Sequence, residues 1–127
     1  MKLVAVHSIQ VADETFIAAD PMAVGRAVAD RAAWRRWFGD LTLEVVEDRA
    51  DKGVRWTVSG ALTGTMEIWL QPILDGVVLH YFLHAEPTAA ATAASTNHQR
   101  RVAGKRMAFA IKNALEATRP VGVAPGI

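Results

Sequence analysis

The fold of this chain is decided between Gly53 and Glu86, where the sequence reads GVRWTVSGALTGTMEIWLQPILDGVVLHYFLHAE. Apolar residues recur at alternate positions in three consecutive runs, each followed by a turn signal. Because successive side chains of a strand point to opposite faces, each run predicts a strand with one apolar face. Ser59–Gly64 and Pro72–Gly76 contain the glycines and the Asp-Gly pair that favour tight turns. Three such strands predict an antiparallel meander, whose apolar face needs a covering layer.

The segment before the meander predicts two more strands and two short helices. The elements are a strand over Asp13–Ala19, helices over Pro21–Asp30 and Arg31–Phe38, and a strand over Leu41–Asp48. The first strand can begin as early as Ser8. Asp20 and Pro21 start the first helix, since aspartate is a good N-cap and proline suits the first helical position. Trp34 and Trp37, three positions apart, share one face of the second helix.

The segment after the meander supplies the cover. Pro87–Ser95 reads as a loop, and Thr96 or Asn97 can cap a helix that runs to about Thr118. Its apolar residues recur at the spacing of an amphipathic helix, and a helix of roughly 33 Å can cross a sheet. That face comprises Ala103, Met107, Ala110, Ile111, Ala114 and Leu115, with Val102 and Phe109 as a stripe at its edge. The basic run Arg100–Arg106, with Lys112 beyond it, is interpreted as a solvated surface.

Composition places the chain among ordinary globular proteins. Its 127 residues favour one domain over residues 1–127, with loosely held ends at 1–7 and 120–127. Apolar residues make up 51% and charged residues 21%, which argues against disorder. A net charge of +1 gives no general attraction to nucleic acid, and no segment is apolar enough for stable membrane insertion. The absence of cysteine excludes disulfides and suits a cytoplasmic protein.

Several stretches together resemble the START/Bet v 1-like (SRPBCC) superfamily, and more closely its actinobacterial polyketide cyclase/dehydrase-like and lipid-transport-like proteins. They are FIAADPMAV at 16–24, ADRAAWRRWFGDL at 29–41, DKGVRWTVSGALTGTMEIWLQP at 51–72, DGVVLHYFLHAEP at 75–87 and KRMAFAIKNALE at 105–116. They cover nearly the whole chain. The specific signal is their combination: a strand entering a helix that starts with Asp-Pro, a tryptophan-rich second helix, a GxLTGTxExWL segment and a DGxxxHY strand.

This resemblance implies an α+β helix-grip fold. In that fold a curved antiparallel sheet wraps around a long C-terminal helix, two short helices follow the first strand, and an apolar cavity lies between sheet and helix. Members of the superfamily bind lipids, sterols, polyketides or other hydrophobic molecules, and some catalyse aromatic ring closure. Three hypotheses follow: binding or transport of a hydrophobic small molecule without a cofactor, a polyketide cyclase or dehydratase, and an interaction protein whose cavity has collapsed.

The candidate ligand-binding residues come from the apolar face of the predicted strands, from the covering helix and from the tryptophan-rich helix. They are Trp34, Trp37, Phe38, Trp56, Met66, Ile68, Leu79, Tyr81, Leu83, Met107, Phe109 and Ile111; Leu43, Val45, Val54, Val58, Leu70 and Ala110 complete the predicted inner surface. The same residues can instead pack as a core without a cavity. Such a surface binds mainly by shape and apolar contact, with a few polar groups fixing orientation.

Polar residues of the meander fall on the opposite parity. Arg55 and Glu67 predict an exterior cross-strand ion pair, and they become catalytic candidates, with Tyr81, only if the parity is inverted. His80 and His84 share that outer face roughly 13 Å apart, too far for a common metal ion, and we expect no metal site. Trp69, Val78 and Phe82 predict an outer apolar patch that could support a homodimer.

Overall fold

The structure, a computed structural model, describes residues 7–90 and 92–117. The predicted loose ends lie outside these ranges apart from His7, as does the predicted helix end at Thr118. The elements in chain order are β1 (Ile9–Ile17), α1 (Pro21–Val28), α2 (Arg31–Trp37), β2 (Leu41–Asp48), β3 (Gly53–Gly60), β4 (Leu62–Ile73), β5 (Gly76–Pro87) and α3 (Ala93–Glu116), with one 3-10 turn at Ala50–Lys52.

The five strands form one antiparallel sheet in the order β1-β5-β4-β3-β2. The predicted meander is therefore confirmed, with β1 and β2 as its edges. The predicted parity also holds, because Trp56, Met66 and Tyr81 are all buried beneath α3 and the short helices. The prediction was wrong for Val45, which is 38% exposed. Val45 is opposite the buried Trp56 in the β2–β3 register, so the alternation still holds at this position, but β2 is an edge strand and its inner side is only partly covered; the bulge in β2 comes after Val45.

Helix α3 covers the sheet and also seals the edge of β1 with side chains. The side-chain oxygen of Asn97 accepts from the backbone N–H of Gln10 at 2.8 Å, and Lys112 donates to the backbone oxygen of Phe16 at 2.9 Å. Between them, Lys105 donates to the Thr15 hydroxyl at 2.9 Å. An uncovered strand edge is a template for unwanted pairing, and this row blocks it. The expectation that Lys105 and Lys112 belong to a purely solvated surface was therefore wrong.

The face of α3 that meets the sheet is rotated relative to the predicted one. Gly104 and Ala108 are buried beside Met107 and Ile111, and these replace Ala110 and Ala114, which are exposed. Phe109 was wrongly expected to point inward; it is 45% exposed and contacts Lys105 through its ring. The loop predicted over Pro87–Ser95 is also too long, because α3 begins at Ala93 with Thr92 as its N-cap residue.

The two short helices start and stop as the sequence indicates, within two residues. Asp20 precedes α1 in extended conformation without a side-chain cap, and Pro21 occupies the first turn. Asp30 caps α2 by accepting from the backbone N–H of Ala32 at 3.1 Å. Among residues 7–90 and 92–117, no helix is long and apolar enough to cross a membrane.

Candidate functional site

Two aromatic pairs join α2 to the inner face of the sheet. The rings of Trp34 and Trp56 meet edge-to-face with centroids 5.3 Å apart, and Phe38 stacks on Tyr81 at 6.2 Å. Arrangements of this kind are worth about 0.5–1.5 kcal/mol beyond the burial of their area. Trp34 and Phe38, the C-cap residue, are four positions apart, so their side chains lie on the same side of α2. The pairs lie in the region between sheet and helices where the family resemblance implies a cavity.

Backbone contacts hold the aromatic layer, which consists of Trp34, Phe38, Trp56 and Tyr81, in place. The indole N–H of Trp34 donates to the backbone oxygen of Val28 at 2.7 Å, which ties α2 to the end of α1. The backbone N–H of Phe38 donates to the oxygen of Trp34 at 2.7 Å, and that of Leu41 to the oxygen of Phe38 at 3.0 Å. Gly39 lies in this turn, where a Cβ would come within 2.9 Å of the Arg35 oxygen.

The ring of Tyr81 also lies against the backbone of α3. A Cβ built on Gly104 would be 2.5 Å from Cε2 and 2.7 Å from Cδ2 of that ring. Ordinary contacts of this kind begin near 3.4 Å, so only glycine allows the helix this close. Tyr81 is thus enclosed by Phe38 and Gly104, and 1% of its surface is exposed.

Three buried polar atoms at this interface have no hydrogen-bond partner among the residues that the structure describes. They are the indole nitrogen of Trp56, the hydroxyl of Tyr81 and Nε of Arg100. Burying an unpaired polar group costs roughly 1–3 kcal/mol, so such atoms are uncommon and call for an explanation. These three N–H and O–H groups could therefore donate hydrogen bonds to a further molecule between the sheet and the helix.

Arg100 brings a positive charge to the end of this interface. Its Nη1 and Nη2 donate to the two carboxylate oxygens of Asp40 at 3.0 and 2.6 Å, a bidentate pair. The hydrogen bonds from Arg100 hold the pKa of Asp40 below its usual range, against a smaller opposing effect of burial. Burial raises the pKa of Tyr81, and the Arg100 charge lowers it by less. The Tyr81 hydroxyl therefore stays protonated at neutral pH and can donate a hydrogen bond.

A cavity of about 500 Å³ opens between α2 and β2, on the outer side of the aromatic layer. Its size is within the range of small-molecule sites. It is lined by Arg31, Ala32, Trp34, Arg35, Phe38, Gly39, Leu41, Thr42 and Leu43. Trp34 and Phe38 thus contact Trp56 and Tyr81 on one side and face this cavity on the other.

A second cavity, of about 270 Å³, lies between the short helices and α3. Trp37 and Ile111 line it, together with Ala27, Ala33 and Leu115. The predicted group of Trp34, Trp37 and Phe38 is therefore divided between two cavities. The other inward-pointing candidates are buried: Trp56, Met66, Ile68, Leu79, Tyr81, Leu83 and Met107. Their role in ligand binding stays a prediction.

The outer face of the sheet holds the predicted ion pair. Arg55 and Glu67 are directly opposite in the β3–β4 register, with Arg55 Nη2 3.7 Å from Glu67 Oε2. Arg49 is the closer partner, since its Nη2 donates to the same oxygen at 2.8 Å. Both catalytic candidates of this pair therefore lie on the other side of the sheet from Tyr81. The three candidates do not converge on one site.

The outer face also carries a stacked aromatic row. His80 lies between Trp69, at a centroid distance of 4.5 Å, and Phe82, at 6.2 Å. Its Nε2 is 2.9 Å from the side-chain oxygen of Gln71. Trp69 is 40% exposed, whereas Val78 and Phe82 are half-buried, so the apolar patch is smaller than expected. The homodimer stays a prediction.

His84 lines a shallow outer cavity of about 290 Å³ with Thr65, Glu67 and Phe82. His80 is on the same face of β5, four positions from His84 or roughly 13 Å by the strand rise, and it does not line this cavity. Within residues 7–90 and 92–117, no group of three histidine, aspartate or glutamate side chains is placed to hold a metal ion.

Arg100 is the residue at this site that the sequence-based reasoning missed. By its position in the sequence, Arg106 could also reach the cavity from the edge of the helix, but it is exposed. The overlooked signal is Gly104, because a glycine in the middle of a helix often marks a close approach. Thr96, Arg100, Gly104, Met107 and Ile111 follow one another at spacings of three and four, and this is the row that faces the sheet.

Comparison with known proteins identifies the architecture. No family model matches the chain, and no curated protein does. The chain is similar to solved structures that include a START superfamily protein from Mycobacterium smegmatis, with 13% identity and a TM-score of 0.61 over 86% of this chain and 98% of that one. Ara h 8.0201 shows 14% identity and a TM-score of 0.59 over 89% and 99%. The Aha1 dimer from Colwellia psychrerythraea shows 14% identity and a TM-score of 0.64 over 88% and 99%.

Proposed function

We propose that this chain, which has the START/Bet v 1-like helix-grip fold, binds a hydrophobic small molecule such as a lipid or a polyketide between its sheet and helices. The bound molecule occupies the cavity between α2 and β2 and extends inward past Phe38. Transport of that molecule is one use of such binding. The fold alone does not determine the ligand, so the proposal rests on the chemistry of the site.

The unpartnered Trp56 N–H and Tyr81 hydroxyl carry the proposal. Both lie on the inner face, each with 1% of its residue exposed. A core that only had to pack would be more stable with apolar groups at these two positions, since each unpaired atom costs roughly 1–3 kcal/mol. A ligand with a carbonyl or hydroxyl oxygen would accept from one or both donors. Such a ligand explains why an otherwise apolar interior retains two donors.

The aromatic layer provides a route between the cavity and these donors. Trp34 and Phe38 face the 500 Å³ cavity, and their rings are the ones that contact Trp56 and Tyr81. Both belong to a helix of seven residues and its C-cap. A rotation of the Phe38 side chain toward the cavity would open a path from the cavity to the Tyr81 ring without breaking the sheet.

The alternative of a polyketide cyclase or dehydratase has less support. Those reactions need a proton acceptor within hydrogen-bond reach of the substrate. The Tyr81 hydroxyl stays protonated at neutral pH, and the carboxylate of Asp40 at the end of this interface is held by Nη1 and Nη2 of Arg100. Glu67 is ion-paired on the opposite face. The inner face can therefore orient a carbonyl group but lacks an evident base, which favours binding over catalysis.

Titration with Nile red, a neutral apolar dye with a carbonyl acceptor, tests the proposal. We expect saturable binding of one dye per chain, and competition by 2-dodecanone, which combines an apolar chain with a carbonyl group. Trp56→Phe should weaken dye binding by roughly 2- to 10-fold, the value of one hydrogen bond. Trp69→Phe is the matched control, because it makes the same change on the exposed outer face and should leave the affinity unchanged.

Two results would count against the proposal. Absence of saturable dye binding would favour an interaction protein with a collapsed cavity. Loss of binding in Trp69→Phe, with Trp56→Phe unaffected, would place the dye on the outer apolar patch instead.

A further inference from the structure

The cavity between α2 and β2 carries two positive charges and no lining carboxylate. Arg31 and Arg35 lie four positions apart on α2 and both line it. Arg31 lies 5.8 Å above the ring of Trp34. Within residues 7–90 and 92–117, neither arginine has a carboxylate within ion-pair distance, whereas Arg49, Arg55 and Arg100 each do.

The rest of the cavity wall is largely apolar. Its apolar side chains are those of Trp34, Phe38, Leu41 and Leu43, and Thr42 of β2 adds a hydroxyl group. Three acidic residues adjoin this wall in the chain without lining the cavity: Asp40 is held in its bidentate pair with Arg100, Asp30 accepts from the backbone N–H of Ala32, and Glu44 follows Leu43 on β2. The cavity thus combines two arginines that form no ion pair among the described residues with a largely apolar interior.

We propose that the ligand is an amphipathic anion whose acidic group is held by Arg31 and Arg35 and whose apolar body passes between β2 and the aromatic layer. The proposal rests on the proposed binding function and adds the charge and the orientation of the ligand. Guanidinium groups suit carboxylate, phosphate and sulfonate oxygens because they present several donors in one plane. The unpartnered donors of Trp56 and Tyr81 lie at the far end, where a second oxygen of the ligand would be placed.

A pair of probes with the same chain length, one anionic and one neutral, tests this assignment. Against the full chain, decanoate is used below its micelle concentration and 1-decanol below its solubility limit. Calorimetry or Nile red displacement should show that decanoate binds roughly 10-fold more tightly than 1-decanol, the value of one charge-assisted hydrogen bond partly screened by solvent. The double variant Arg31→Gln/Arg35→Gln should remove this preference, so that decanoate and 1-decanol bind it with similar affinities.

Arg36→Gln is the matched control. It removes a positive charge from the same helix, but Arg36 lines the cavity on the other side of α2, toward α3. The control should retain the preference for decanoate. Loss of the preference in Arg36→Gln to the same degree as in the double variant would show a general charge effect and overturn the assignment.

The possible failures separate the two proposals. Equal affinities of wild-type protein for decanoate and 1-decanol would overturn the charge assignment and leave the binding function intact. Saturable binding of neither probe, and none of Nile red, would overturn both.

Discussion

Replacing Gly104 with alanine should destabilise the protein, although the same change stabilises most helices. Gly→Ala in a helix interior gains about 1 kcal/mol. Here the new Cβ would be 2.5 Å from the Tyr81 ring, about 0.9 Å inside ordinary contact distance. The ring cannot simply retreat, because Phe38 stacks on it. Overpacking costs about 1–3 kcal/mol, and a contact this close is at the upper end, so the net loss should be about 2 kcal/mol.

Urea unfolding followed by circular dichroism measures this loss. With a slope of about 1–3 kcal/mol per molar, the midpoint should fall by roughly 1 M while the slope stays constant. The matched experiment repeats Gly104→Ala in a Tyr81→Leu background, where the clashing ring is absent and the substitution should become stabilising. The difference between the two backgrounds is the coupling energy of the pair. An increase in stability for Gly104→Ala in the wild-type background would refute the packing of α3 on β5 described above.

Three further predictions address the site and its surroundings. Tyr81→Phe removes an unpaired hydroxyl, so the ligand-free protein should keep or gain stability in urea while its affinity for 2-dodecanone falls; a clear loss of stability would mean that the hydroxyl has a partner. The hydrogen bonds from Arg100 lower the pKa of Asp40 in the folded state, so this pair stabilises the protein fully above the unfolded pKa of about 3.9 and stops doing so as the pH falls through the folded pKa. The stability difference between wild type and Asp40→Asn should therefore shrink on acidification from pH 7 to pH 3, and a constant difference would contradict the pair. Met107→Ala should cost about 2–5 kcal/mol in thermal or urea unfolding, whereas Phe109→Ala should change stability by no more than about 0.5 kcal/mol, and a loss for Phe109→Ala as large as that for Met107→Ala would place Phe109 inward, as predicted from the sequence.

The sheet could be predicted from the sequence because its signal is strictly periodic. Alternation between Val54 and Leu83 assigns each side chain to a face, and a shift by one residue would have exposed the whole apolar set. The exterior placement of Arg55 and Glu67 follows from the same rule. The prediction failed at Val45 although it still pairs with Trp56, because β2 is an edge strand and alternation assigns a face without showing whether that face is covered.

The helix face was harder to predict because alanines give a weak signal. Ala103, Ala108, Ala110 and Ala114 cover more than one side of α3, so the apolar stripe can be drawn in two ways. The sheet selects the row that contains Gly104, because only glycine admits the Tyr81 ring. The same rotation turns Arg100 inward and Phe109 outward.

The division of the site into two cavities could not be predicted from local patterns. The spacing of Trp34 and Trp37 predicts that they share one helix face, yet Trp34 lines the cavity next to β2 and Trp37 lines the cavity next to α3. That outcome depends on how the end of α1 holds α2, through the Val28 oxygen and the Trp34 indole. The contact between α1 and α2, which the alternation of the strands does not predict, therefore decides where the two cavities lie.

The indole N–H signals in a two-dimensional nitrogen–proton spectrum test the central claim most directly. The chain has four tryptophans, so each signal can be assigned with one Trp→Phe variant. On saturation with 2-dodecanone, the signal of Trp56 should move downfield as its N–H gains an acceptor, while the N–H of Trp34, already bonded to the Val28 oxygen at 2.7 Å, should keep that bond and move less. An unchanged Trp56 signal at saturating ketone, or a shift confined to Trp69 on the outer face, would contradict binding between sheet and helix.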